Sequence, residues 1–132
     1  MNSIVRAMLN RLLGNEGERA AARHLRRRGL RIITRGYRTS RGEIDLIARD
    51  GNTLVFVEVK TRRAGVPAEA VTLEKQRRLT LAALHFLKRF DLLEQRTRFD
   101  VVAVVWPDGR RPPTIEHITH AFEAPGPTGP FL

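Results

Sequence analysis

Asp45, Glu58 and Lys60 are the residues best placed by type and spacing to do chemistry in this chain of 132 residues. They lie within GEIDLIARDGNTLVFVEVKTR, two apolar runs joined by Asp50-Gly51-Asn52. Runs of this kind around a Gly-containing turn predict a hairpin of two strands. A charge among Ile, Val and Phe is costly unless something pairs with it.

The turn decides which charges meet. If Gly51 and Asn52 turn the chain, Asp50 faces Thr53, Asp45 falls opposite Glu58, and Glu43 falls opposite Lys60. If Asp50 and Gly51 turn it, Asp45 and Glu58 become diagonal neighbours on one face. A three-residue turn would separate them to opposite faces. Two of the three registers therefore bring the carboxylates together, and like charges so placed destabilise a sheet.

A cation between the carboxylates would remove that cost. Mg²⁺ and Mn²⁺ favour oxygen donors, and Asp45, Glu58 and the carbonyl of Val59 would form part of such a shell. Lys60 shares the face of Glu58, because strand side chains alternate. An ammonium there could lie beside a metal and a phosphate and exchange a proton, which a guanidinium cannot readily do. Only Lys60, Lys75 and Lys88 are lysines among the 24 basic residues, so a lysine at this position is not explained by abundance. The competing reading is a solvent-facing strand with an ordinary Glu58–Lys60 surface pair.

These strands sit inside a readable order of elements. NEGERAAARHLRRRG predicts a helix, with Asn15 as cap, Glu18 three residues on, and Gly29 as its end. LRIITRGYR is a strand candidate. After the hairpin, RRAGVPAEA reads as a loop. VTLEKQRRLTLAALHFLKRF places Leu73, Leu79, Ala83, Leu84, Leu87 and Phe90 at helical spacing. TRFDVVAVVW predicts a strand buried on both faces, with Asp100 as an ion-pair partner of Arg98. TIEHITHAF is a terminal element of undetermined type. The predicted fold class is α/β, in the order αβββαβ, with a central sheet flanked by helices. Residues 1–13 form an extension, 14–122 a single domain, and 123–132 a Pro/Gly-rich mobile tail.

Composition narrows the partner. The formal net charge is +10, which attracts polyanions and favours nucleic acid as the partner. There is no cysteine, so disulfides are excluded. No apolar run approaches the ~20 residues of a membrane helix, and Arg6 and Arg11 interrupt any signal-peptide core. The expectation is a cytoplasmic protein with no membrane partner. No GxxxxGK phosphate loop and no GxSxG elbow is present.

The hairpin, with GNEGERAAARHL, AVTLEKQRRL, RFDVVAV and IEHITHAF, resembles the bacterial YraN family of predicted endonucleases. More broadly it resembles the PD-(D/E)xK nucleases, which include restriction enzymes and archaeal Holliday junction resolvases. Ile44-Asp45 stands where the Pro-Asp pair is usual. The resemblance implies a restriction-endonuclease-like core and hydrolysis of DNA phosphodiesters dependent on Mg²⁺ or Mn²⁺. It implies Asp45 and Glu58 as metal ligands and Lys60 as the residue that orients or deprotonates water. A homodimer is common among such enzymes. The alternative is a nucleic-acid-binding protein that keeps the fold without cutting.

Further residues can be added around this set. Glu18 aligns with Ala21, Ala22 and Leu25 on the inward helical stripe, which makes it a fourth catalytic and metal-ligand candidate. A capping role is its competitor. Glu43 reads as a partner of Lys60, with a further metal ligand as the alternative. Gln76 aligns with the inward face of the second helix. Arg41, Arg62, Arg63, Lys75, Gln76 and Arg78 are the candidate nucleic-acid contacts. His117 and His120 lack a third ligand for zinc. His24 and His85 read as surface residues or nucleic-acid contacts, and Tyr37 and Trp106 as packing residues.

Overall fold

A computed structural model describes residues 3–109 and 111–124. The elements are α1 (Ser3–Arg27), β1 (Arg31–Arg38), β2 (Glu43–Asp50), β3 (Thr53–Arg63), α2 (Leu73–Arg89), β4 (Arg96–Trp106) and β5 (Thr114–Phe122). The expected order stands, and TIEHITHAF adds a fifth strand. The sheet runs β1-β2-β3-β4-β5, with β3 and β4 parallel and the other neighbours antiparallel.

Each helix covers one face. Ala20, Ala21, Ala22 and Leu25 of α1 pack with Leu46, Ala48, Val55, Val57, Val102 and Val104. Leu79, Ala82, Ala83 and Phe86 of α2 pack with Ile44, Ile47, Leu54, Phe56 and Phe99. Strand alternation creates the division, because successive side chains leave opposite sides of the sheet. Leu73 and Phe90, expected inward on α2, are exposed at its two ends. Thr72 caps α2 by accepting the Lys75 amide at 3.1 Å.

Asn15 does not cap α1. The helix begins at Ser3, so Asn15 lies in its interior, and the described part of the expected extension is helical. Alternative starts are hard to separate when good helix formers flank a capping residue. Gly29 does end the helix, at φ 92, followed by a Leu30 amide bond to the Leu25 carbonyl. The tail falls outside the described residues from 125 onward.

At the far edge, the expected Arg98–Asp100 pair belongs to a larger network. Asp100 is fully buried and accepts from Arg98 Nε at 3.0 Å and from the His120 amide at 3.1 Å, and it bonds His117 Nε2 at 2.7 Å. Arg98 also reaches Asp50 at 2.8 Å. The network ties β5 and the hairpin turn to β4. His117 and His120 lie on this fifth strand.

Candidate active site

The hairpin takes the register set by a Gly51-Asn52 turn. Asp50 pairs with Thr53 and the ladder continues to Leu46–Val57, where it ends. One more step would set Asp45 opposite Glu58. Instead the strands part at this point, and Asp45 Oδ2 accepts the Val59 amide at 2.8 Å. Ile44 belongs to the α2-side core and Leu46 to the α1-side core, although residues two apart normally share a face. Strand β2 therefore rotates about Asp45, and the carboxylate occupies the fork between the diverging strands.

Both faces of the sheet reach this fork. Glu58 projects toward the α2 side, is 4 % exposed, and pairs with Lys75 Nζ at 2.8 Å. Glu18 comes from α1 on the opposite side and lies within reach of the Asp45 carboxyl. The helix comes this close because residue 17 is glycine. A Cβ at Gly17 would collide with the Thr61 side chain on β3. Gly42 plays the matching part across the sheet, since a Cβ there would lie 2.5 Å from the Arg78 carbonyl oxygen of α2. Small residues at both contacts were not singled out by any sequence motif; their role lies in packing between distant segments.

Electrostatics marks the cluster. Burial, then the charge of Glu58, pushes the Asp45 carboxyl up to about 7, and Glu18 adds to the rise against the pull of the Val59 amide and Lys75. Burial, then the charge of Glu43, raises Glu18, while Asp45 as a hydrogen-bond partner and Arg35 oppose the rise. For Lys75, burial disfavours the ammonium, but the hydrogen bond and charge of Glu58 outweigh it and leave the group raised. Perturbations of this kind concentrate where charges do chemistry or are held for a structural reason.

The expected site residues distribute as follows. Asp45, Glu58 and Glu18 converge. Lys60 shares the α2-side face of Glu58, is half-buried, and lies beside Lys75. At Val59 the recorded contact is its amide N–H, donated to Asp45, rather than its carbonyl. Glu43 pairs with Arg38 at 3.4 Å and not with Lys60. Lys75, expected at phosphate, is instead the partner of Glu58. Gln76 donates to the Val71 carbonyl at 3.0 Å, so its amide stays at the start of α2. Arg78 pairs with Glu74 at 2.6 Å, and Arg62 donates to the Val66 carbonyl at 2.7 Å. Arg41 and Arg63 are exposed. An open groove of about 910 Å³ runs past Lys60, Arg62 and Arg63 over Val101, Ala103 and Ile118.

The remaining titratable candidates lie elsewhere. His85 bonds the Tyr37 hydroxyl at 2.7 Å, and Tyr37 packs edge-on against Phe86. His24 is half-buried with no partner for Nε2, and burial, then Arg28, lowers it. Among the described residues, no three His, Asp or Glu side chains stand close enough as they are to enclose a metal ion. None of the described helices is long and apolar enough to cross a membrane.

The sequence profile of the uncharacterised protein family UPF0102 matches residues 17–104, which run from the glycine that admits α1 through most of β4. The chain is similar to a UPF0102 protein of Geobacter sulfurreducens, 53% identical over 119 residues, covering 86% of this chain and 91% of that one. It is similar to a UPF0102 protein of Rhodococcus opacus, 51% identical over 116 residues, covering 86% of this chain and 98% of that one. A UPF0102 protein of Anaeromyxobacter dehalogenans is 48% identical over 120 residues, with 89% of this chain and 88% of that one covered.

Proposed function

The chain belongs to the uncharacterised protein family UPF0102, and we propose that it is a divalent-metal-dependent endonuclease hydrolysing phosphodiester bonds of DNA. The observation that carries this reading is the fork between β2 and β3. Three carboxylates from three elements meet there, and Asp45 is held up to about 7 by burial and by Glu58. A fold that gathers such charges bears a cost that a cation relieves. The α/β sheet with a helix on each face is compatible with a restriction-endonuclease-like core, which is part of the proposal.

The donor chemistry fits a hard divalent cation, because every donor is a carboxylate oxygen. Asp45, Glu58 and Glu18 would hold Mg²⁺ or Mn²⁺. When bound, the ion supplies positive charge that polarises a phosphate and acidifies water. The chain's own residues supply position and proton handling. The Val59 amide fixes the Asp45 carboxylate. Glu58 can act as a ligand when its pair with Lys75 yields. Lys60, free of any carboxylate partner among the described residues, is the residue to orient the attacking water or, as the neutral amine, to take its proton.

One contact favours the second reading, a nucleic-acid-binding protein that does not cut. Lys75 already neutralises Glu58 at 2.8 Å and could stand in for a metal. The two readings separate in a cleavage assay on end-labelled linear, single-stranded, flap and four-way DNA, with Mg²⁺, Mn²⁺ or EDTA. Asp45→Ala and Lys60→Ala run beside wild type to exclude a contaminating nuclease. Metal-dependent cutting lost in both variants supports the enzyme. Binding without cutting on every substrate moves the assignment to the non-catalytic protein.

A further inference from the structure

Several of the basic residues near the acidic fork are already engaged inside the protein. Lys75 is held by Glu58, Arg78 by Glu74, and Arg62 by the Val66 carbonyl. A different set is not. Arg19, Arg23 and Arg26 are all exposed and form one stripe on the outer face of α1, opposite buried Ala21 and Leu25. Arg31 and Arg35 are exposed on β1, the edge strand that follows directly after Gly29. Arg19, Arg23, Arg26 and Arg31 have no side-chain partner among the described residues, and Arg35 lies near Glu18.

Of the two β1 arginines only Arg35 shares the α1 side of the sheet. It pairs across with Leu46 of the α1-side core, whereas Arg31 adjoins Ile32, which packs on that core, and so projects from the other face, across the bulge between Ile32 and Thr34. Strand β1 turns back along α1 after Gly29, so Arg35 lies toward the Arg19 end. Seven helical residues from Arg19 to Arg26 span about 10 Å. The helical row and Arg35 both rest on packed elements. Their Arg19–Arg35 end abuts Glu18 and the fork.

We propose that this α1–β1 band is a docking surface for the backbone of double-stranded nucleic acid. Unpaired guanidiniums on a rigid helical row complement phosphates and release counterions on contact. The band offers no stacking platform for unpaired bases. Tyr37, the one Phe, Tyr or Trp in its described elements, is occupied by Phe86 and His85, and the His24 ring packs edge-on against His117. Contact of this kind reads backbone shape and charge rather than sequence. It extends the proposed function by naming how substrate would lie, and it rests on that reading for the class of ligand alone.

The test is binding, kept separate from cutting. Full-length protein in EDTA is titrated into a fluorescent duplex and a matching single strand, followed by anisotropy from about 50 to 200 mM salt. Arg19→Ala/Arg23→Ala/Arg26→Ala removes the three contacts of the helical row and leaves Arg35 beside the fork. Lys88→Ala/Arg89→Ala/Arg96→Ala removes equal charge elsewhere. Circular dichroism verifies that both remain folded, as expected for exposed positions.

The expected result is duplex affinity at least ~10-fold weaker in the first triple, with the log–log salt slope reduced by about 2 to 3. The second triple should stay near wild type, and duplex should be preferred over single strand. Equal losses in the two triples would overturn the proposal in favour of unspecific charge. So would unchanged binding in the first triple, a preference for single strand, or a loss confined to anionic phosphatidylserine vesicles. Duplex binding through the band without any cutting would sink the nuclease reading alone. Metal-dependent cutting that the first triple leaves intact, with wild-type binding, would sink the band alone.

Discussion

Asp45 accepts the Val59 amide proton at 2.8 Å at the point where the β2–β3 ladder stops. The bond fixes a carboxylate in the fork that burial and Glu58 push up to about 7. A carboxyl raised above its unfolded value contributes its full stability below the unfolded pKa, near 3.8, and that contribution is lost as pH rises through about 7.

Metal-free protein should therefore lose stability between about pH 4 and pH 7 through this residue. Asp45→Asn should flatten that fall. Thermal melts in EDTA at mildly acidic and mildly alkaline pH should differ between wild type and variant by about 1–3 kcal/mol, after allowing for sharing of the proton with neighbours. His24 acts with the opposite sign, because its lowered value costs stability as pH falls. It is common to both proteins and cancels in the comparison. Mg²⁺ should raise the melting temperature of wild type at the alkaline end and leave Asp45→Asn unmoved. An equal Mg²⁺ effect on both would count against Asp45 as a ligand.

Lys60 and Lys75 differ in what holds them, so their loss should differ in kind. Lys75→Met strips a buried Glu58 of its cation and should cost about 1–3 kcal/mol, less than a fully buried pair because Lys75 is half exposed. Added Mg²⁺ should recover most of it. Lys60→Met should change stability by less than ~0.5 kcal/mol and lower cleavage by at least ~100-fold. Melts with and without Mg²⁺, read beside single-turnover cleavage, separate the two roles.

Gly17→Ala would normally favour a helix by close to 1 kcal/mol. Here the added methyl runs into Thr61, so the expected outcome is a loss of about 1–3 kcal/mol. Thr61→Ala in the same chain should restore most of it. Urea titration of the four proteins in this cycle gives the coupling. Additive effects would mean that α1 does not approach β3 as closely as described.

The parts of the site legible in the sequence were those set by local rules. Counting offered three registers, and the one with a Gly51-Asn52 turn is the one the ladder follows as far as Leu46–Val57, which brings Asp45 and Glu58 to the same fork. Helical periodicity placed Glu18 on the inward stripe beside Ala21 and Leu25, which are buried. What local rules miss is partner choice across the fold. Lys75 resembles a solvated first-turn lysine until α2 is laid over β3. Asn15-x-x-Glu18 has the form of a capping box, and nothing local reveals that the helix has already begun. His117 and His120 have helical spacing, and only pairing with β4 makes their segment a strand.

The strand connections also give the acidic fork a place in time. Strands β2 and β3 are joined by two residues, whereas parallel pairing of β3 with β4 must wait for the whole α2 crossover. Short loops close first, because little chain entropy is lost in closing them. Asp45 and Glu58 thus meet early, and Lys75 arrives with α2 afterwards. The repulsion between the carboxylates falls on the folding barrier, before its neutralising partner is in place. Refolding should be fastest where protons shield the pair during that interval.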